Sequence, residues 1–232
     1  MNRILDVASS VAATLVRLGA GLSVGAVGRR PQQLLELYEF EGCPYCRKVR
    51  EALSQLDLDA RIFPCPKNGP RFREEVKAKG GKAQFPYLVD PNTGKAMYES
   101  NDIVRHLFTE YGDGKLPALL AAGPLTDAGA MLASALRPGR GVHYRPARAP
   151  EQPLELWSFE ASPFCRIVRE TLSSLELPYR LHNVARGSAR RAAFVERSGR
   201  MLVPYLADPN TGVEMFESAD IVAYLERSYA LG

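Results

Sequence analysis

The chain repeats itself. Residues 35–58, LELYEFEGCPYCRKVREALSQLDL, align with residues 154–177, LELWSFEASPFCRIVRETLSSLEL, at 15 identities in 24 positions. Residues 86–104 and 204–222, PYLVDPNTGKAMYESNDIV and PYLADPNTGVEMFESADIV, align at 14 in 19. The offset is 119 in the first block and 118 in the second, so one residue is lost between them. Self-similarity at this level means two copies of one compact unit. It extends upstream, where LVRLGAG at 15–21 faces ALRPGRG at 135–141 at offset 120. Residues 1–28 carry Arg3 and an apolar stretch, as a secretory leader would, but Asp6 and Arg17 interrupt it. With a counterpart inside the chain, this segment reads as a structural helix that packs near a second helix at about 125–136.

Each copy has the same grammar. In the first, LLELYEF alternates as a buried strand. Pro44 then sits in a first helical turn, where its missing N–H is not needed. Val49, Leu53 and Leu56 follow at helical spacing. ARIFPC is a second strand and GPRFREEVKAKGG a polar helix closed by glycines. FPYLVD and KAMYES are strands around the turn cluster DPNTG. SNDIVRHLFTEYG is a last helix, with Ser100 as its expected N-cap. The order is βαβαββα. The expected organisation is α/β: a helical segment at 1–33, a unit with CPYC at 34–112, a helical connector at 113–153, and a second unit with SPFC at 154–232. The two units should be related by approximate two-fold symmetry.

Lys and Arg number 30 against 26 Asp and Glu. Split at Gly112, the halves carry 16 against 13 and 14 against 13. Neither has the basic excess of a nucleic-acid-binding protein. No apolar run reaches the roughly 18 residues of a membrane span. The four cysteines, Cys43, Cys46, Cys65 and Cys165, make no disulfide framework and suit a reducing cytoplasm with one redox-active pair. Cys65 reads as a structural thiol.

A C-x-x-C after a strand and opening a helix carries chemistry. The first cysteine meets unpaired helical N–H groups and the helix dipole, which favour its thiolate. The second lies one turn on and can resolve a mixed disulfide. Cys43 is therefore the candidate nucleophile and Cys46 the resolving thiol. Arg47 and Lys48 add positive charge nearby, while Glu39 and Glu41 oppose it. Half of a zinc site is the other reading of the pair, but His106, His143 and His182 are scattered and no metal is expected. In the second copy Ser162 replaces the nucleophile and Cys165 keeps the inner position. A hydroxyl cannot exchange disulfides, though it can donate a hydrogen bond to a bound thiolate.

The βαβαββα order with CPYC resembles glutaredoxin, within the thioredoxin-fold superfamily. FPYL and VPYL resemble the segment whose X–Pro bond is cis beside the active site, which places such bonds at Phe85–Pro86 and Val203–Pro204. ESNDI at 99–103 and ESADI at 217–221 resemble the E-S-x-A-I motif of glutathione S-transferase N-terminal domains. The resemblance covers about two-thirds of the chain. It implies glutathione as co-substrate, held by Phe85, Pro86, Glu99 and Ser100, with Ser162, Cys165, Val203, Pro204, Glu217 and Ser218 as second-domain equivalents. The basic segments 59–85 and 178–203 would border these sites. The helical C-terminal domain of the transferases has no counterpart in the sequence, so disulfide exchange is expected rather than transfer. The implied function is a cytoplasmic glutathione-linked thiol–disulfide oxidoreductase acting on glutathione or a thiol or disulfide protein, its second domain glutathione-binding or structural. The alternatives are a non-catalytic module binding glutathione, a thiol peptide or a protein, and an iron–sulfur carrier.

Overall fold

The computed structural model describes residues 3–231. Helix α1 (Arg3–Val16) precedes a first unit of β1 (Leu35–Glu39), α2 (Pro44–Gln55), β2 (Ala60–Pro64), α3 (Phe72–Gly80), β3 (Tyr87–Asp90), β4 (Lys95–Met97) and α4 (Ser100–Tyr111). After α5 (Ala118–Ala121) and α6 (Pro124–Ala135) the pattern recurs as β5 (Leu154–Ser158), α7 (Pro163–Ser174), β6 (Tyr179–Asn183), α8 (Arg191–Ser198), β7 (Tyr205–Asp208), β8 (Val213–Phe216) and α9 (Ser218–Tyr229). These are two tandem thioredoxin-like βαβαββα units. In each, the first two strands are parallel and the last two form an antiparallel hairpin on the other side of the first.

The units share one sheet. Strand β2 pairs antiparallel with β6, giving the order β4-β3-β1-β2-β6-β5-β7-β8. Arg61 faces Arg180 in this pairing, and these two residues are equivalent at the repeat offset of 119. The pseudo-two-fold axis therefore passes between them. Among the described residues only the short hairpin strands β4 and β8 remain as sheet edges, which limits the unpaired backbone offered to other chains.

One apolar core runs through both units, from Leu35, Leu53 and Leu107 to Leu154, Leu172 and Leu225. It lies on the face covered by α2, α4, α7 and α9. The opposite face carries a smaller aromatic cluster in each unit, around Tyr38 under α3 and Trp157 under α8. The hairpin turn of each unit is locked to its last helix through a buried aspartate. Asp90 accepts hydrogen bonds from Tyr111 and Asn92 and contacts His106 Nε2 at 2.8 Å; Asp208 accepts from Tyr224, Tyr229 and Asn210.

The helices that precede the units cross over. Helix α1 precedes the first unit but packs on α7 of the second; α6 precedes the second but packs on α2 of the first. They also pack on each other. Arg17, just past α1, donates to the backbone of Thr126 and clamps Glu51 through Nε and Nη2 at 2.8 and 2.7 Å. Its counterpart Arg137, past α6, donates to the backbone of Asp6 and clamps Glu170 in the same way. The end of each helix thus meets the start of the other, so the pair is antiparallel. Sequence reading anticipated helices here; their exchange between units was not visible in it.

Candidate functional site

Helix α2 opens at Cys43. Cys43 is the N-cap in extended conformation (φ −74, ψ 121), and its sulfur accepts a hydrogen bond from the Cys46 backbone N–H at 3.3 Å. Pro44 occupies the first turn, where it gives up no helical hydrogen bond. Burial pushes the Cys43 thiol up, but hydrogen bonds from the Cys46 thiol and backbone outweigh it and leave it below its ordinary value. Burial raises Cys46 well above its ordinary value, and the thiol hydrogen bond it gives Cys43 adds to this. Cys43 keeps 4% of its surface exposed and Cys46 none. Cys65 is buried too, with its thiol donating to Phe63 O, and burial raises it well above its ordinary value.

The Phe85–Pro86 peptide is cis, as is Val203–Pro204. A cleft of about 170 Å³ opens beside α2, lined by Tyr45, Gln84, Phe85, Pro86, Glu99 and Ser100. Gln84 Nε2 donates to Glu99 Oε1 at 2.6 Å. Phe85 is flanked by Phe40 edge-on and by the Arg73 guanidinium 4.8 Å from its ring centre. Arg73, from the basic segment, thus backs a cleft residue without lining the cleft, and its Nε donates to Pro66 O. Lys82 lies over Tyr98 instead, and Lys67 exchanges backbone hydrogen bonds with Val142 and Tyr144.

One expectation needs correcting. The N-cap of α4 is Glu99 and not Ser100, which is the first helical residue. Glu99 sits at φ +64, ψ 107, a region costing a non-glycine residue on the order of 1–3 kcal/mol. Its side chain makes no capping bond, which leaves the carboxylate turned to Gln84. Glu217 repeats the conformation at φ +67.

The second unit has the same frame with different contents. Ser162 caps α7 at φ −70, ψ 119 and accepts from the Cys165 N–H at 3.2 Å. Ser162 is buried, and burial raises Cys165 against the hydrogen bond from Ser162. Two residues before the cis proline, where the first unit has Gln84, the second has Leu202. Polar pairing to Glu217 from that position is lost.

Between the two helix starts lies a buried ionic cluster that sequence reasoning missed. Glu160 accepts from Arg50 Nε at 2.9 Å, Arg169 Nη2 at 2.6 Å and Arg47 Nη1 at 3.3 Å. Glu41 accepts from Arg169 Nε and Nη2 at 2.9 and 3.1 Å. Glu39 pairs with Arg50. All six side chains are about 2% exposed. Burial would raise Glu160, but Arg169, Arg50, Arg47 and Arg166 hold it down at about 2. Burial raises Glu39 to about 7, with Glu41 and Glu160 adding to the effect against Arg50 and Arg169. In sequence Glu41, Arg47 and Arg50 have Glu160, Arg166 and Arg169 as counterparts, whereas Glu39 has Ser158; in structure Arg166 departs too, donating to Ser10 and Thr14 where Arg47 donates to Glu160. The expected field of Arg47 and Lys48 on Cys43 is redirected, because Arg47 turns to Glu160 and Lys48 to Asp127 and Asn101. The signal was present as charges repeated in both copies, Glu41 and Glu160 just before the helices and Arg47, Arg50, Arg166 and Arg169 within them.

The connector after α6 crosses the C-x-x-C loop. A Cβ at Gly42 would collide with Val142 and approach Arg140 O to 2.8 Å. Among the described residues no group of three or more His, Cys, Asp and Glu side chains could hold a metal ion, and no helix is long and apolar enough to cross a membrane.

The family model for the glutathione S-transferase N-terminal domain matches residues 37–128 and again 156–231. Among solved structures, a trimeric glutathione transferase from Leishmania is similar at 14% identity and a TM-score of 0.31, over 86% of this chain and 68% of that one. That likeness is too weak to bear on fold or assembly. No curated protein is significantly similar to the chain.

Proposed function

The chain belongs to the glutathione S-transferase N-terminal domain family, and from that premise we propose that it is a glutathione-linked thiol–disulfide oxidoreductase acting through Cys43. The carrying observation is the split between the two thiols: Cys43 caps the helix with its pKa lowered, while Cys46 behind it is raised. A thiolate at Cys43 attacks the glutathione sulfur of a mixed disulfide. The new bond joins Cys43 to glutathione, and the released substrate thiolate takes a proton. A second glutathione thiolate then attacks the sulfur of the bound glutathione, releasing glutathione disulfide and the Cys43 thiolate; alternatively the Cys46 thiolate attacks the Cys43 sulfur, expelling glutathione thiolate and leaving the Cys43–Cys46 disulfide. Glutathione would lie in the cleft of Tyr45, Gln84, Phe85 and Pro86, with its γ-glutamyl end at Glu99 and Ser100. Backbone N–H groups at the start of α4 suit its carboxylate. On this reading the domains are residues 34–112 and 154–232, with 1–33 and 113–153 as their crossing arms.

The second domain serves as scaffold. Ser162 has no thiolate to offer, and Leu202 replaces the glutamine that pairs with Glu99 in the first.

A second reading, a binding module without turnover, is favoured by the 4% exposure of Cys43. Turnover of a glutathionylated peptide, coupled to NADPH and glutathione reductase, separates them. Wild type should turn over and Cys43→Ser should not. Glutathione binding by calorimetry without turnover would establish the module instead. The visible spectrum of the purified protein tests the iron–sulfur alternative in the same preparation.

A further inference from the structure

The crossing helices are amphipathic the wrong way round for a solitary chain. The side of α1 turned to the protein carries Ser10, Ala13 and the Arg17 that follows it. The side of α6 turned inward carries Thr126, Ala130, Ala133 and then Arg137. The large aliphatic residues are outside. Leu5, Val11, Leu15 and Leu18 are exposed on α1 and its end, and Leu15 keeps 68% of its surface. Leu125, Met131, Leu132 and Leu136 are exposed on α6 and its end, and Leu125 keeps 78%.

Part of this surface is ordered by the repeat. Leu5, Ala8 and Val11 are equivalent to Leu125, Ala128 and Met131 at offset 120. They recur every three or four residues, the spacing of one helix face. Because α1 and α6 lie antiparallel across the pseudo-two-fold, the pair forms a platform whose helices have an approximate two-fold of their own. We propose that this platform is the contact by which a second copy of the chain binds, the two α1/α6 pairs stacking into four antiparallel helices.

Three observations favour a second copy. The first is area: the eight aliphatic side chains expose on the order of 800 Å², above the roughly 300–600 Å² of the largest patch on a typical monomer and near the roughly 800 Å² each partner gives to a standard interface. The second is symmetry. An isologous contact requires a self-complementary patch, and a patch with an internal two-fold meets its own copy without a mismatch. The third is charge. The two helices hold Arg3, Asp6 and Asp127 as their charged residues, and Asp6 and Asp127 are paired with Arg137 and Lys48. These pairs leave little charge on the platform to repel a copy of itself. It also lacks the Lys/Arg-rich flank and the aromatic residues with which interfacial helices hold a lipid surface.

Sedimentation of the full chain from about 1 to 100 µM tests this. Wild type should associate to twice the mass of one chain. Leu15→Glu with Leu132→Glu should weaken association by at least about a hundredfold, because each places a charge in an apolar contact. Far-UV circular dichroism and Trp157 fluorescence check that the variant is folded. Leu202→Glu, an exposed leucine elsewhere, should leave association intact. A wild type that stays monomeric overturns the proposal, and so does a dimer that survives the double substitution. If the monomer floats with phosphatidylcholine vesicles, with or without phosphatidylserine, lipid replaces the second copy. Amide exchange of wild type at both ends of the range needs no variant. Protection must rise with concentration in α1 and α6, and a rise confined to other elements overturns the assignment.

Discussion

Two glutamates in the buried cluster should respond to the same substitution with opposite signs. Glu160 is held at about 2 against an ordinary 4.5. A carboxylate whose pKa is lowered by folding stabilises the fold above its unfolded value, and that stabilisation is lost as pH falls toward the folded value. The shift corresponds to about 3 kcal/mol, within reach of the roughly 3–5 kcal/mol lost on breaking a buried pair. Glutamine mimics the neutral acid, so Glu160→Gln should cost about 3 kcal/mol at pH 7.5. Glu39 is raised from 4.5 to about 7. Its favourable contribution is complete below about 4.5 and is lost as pH rises through 7. Glu39→Gln should therefore match wild type near pH 4.5 and exceed it by up to about 3 kcal/mol at pH 8. Urea unfolding followed by Trp157 fluorescence and by circular dichroism measures both. With a slope of roughly 3 kcal/mol per molar, the midpoints should separate from wild type by about 1 M in opposite directions. Coincidence of the two probes checks that the shared core unfolds as one. Equal destabilisation by both variants, or no pH dependence of the Glu39→Gln difference, would refute the assignment of which carboxylate the arginines satisfy.

The remaining expectations concern the candidate site. Cys46→Ser should retain turnover through glutathione mixed disulfides while Cys43→Ser loses it; equal loss in the coupled assay would mean the roles are misassigned. Glu99→Gly should raise thermal stability by on the order of 1 kcal/mol through relief at φ +64, yet weaken glutathione binding at least tenfold by calorimetry, and unchanged affinity would remove Glu99 from the ligand platform. Gly42→Ala should destabilise by about 1–3 kcal/mol through overpacking against Val142, and alkylation of Cys43 by iodoacetamide should quicken as the connector lifts; an unchanged rate would show that the connector does not shield the thiol.

The strands, the helices and the two-fold were legible because they follow from local pattern and from repetition. Leu35, Leu37, Val49 and Leu53 announce their burial by spacing, and Pro44 and Gly81 mark the start of one helix and the end of another. The cis peptides at Pro86 and Pro204 were anticipated from resemblance and occur in the structure. What was not legible depends on which surfaces meet. Nothing in ARIFP states that its free edge is taken by YRLHN. Nothing in the helix at 3–16 states that it serves the far unit. Arg47 looked like a charge beside a thiol because sequence distance was the only distance available; across the axis Glu160 is nearer. Ser100 was the expected cap by residue type, but the backbone of Glu99 takes that position.

The pairing of β2 with β6 has a consequence for how such a chain can change. Two identical single-unit chains joined at this strand would carry every substitution twice, once on each side of the axis. A serine in place of the outer cysteine would disarm both sites together. A glutamate at the position of Glu39 would add a pair of buried carboxylates to the same arginines. With both units on one chain, each position varies alone, and the differences are where that freedom matters: Glu39 against Ser158, Gly42 against Ala161, Cys43 against Ser162, Gln84 against Leu202. One half can then lose a nucleophile without loss of the other, provided that it still supplies Glu160, Arg169 and an edge strand to hold its neighbour in place.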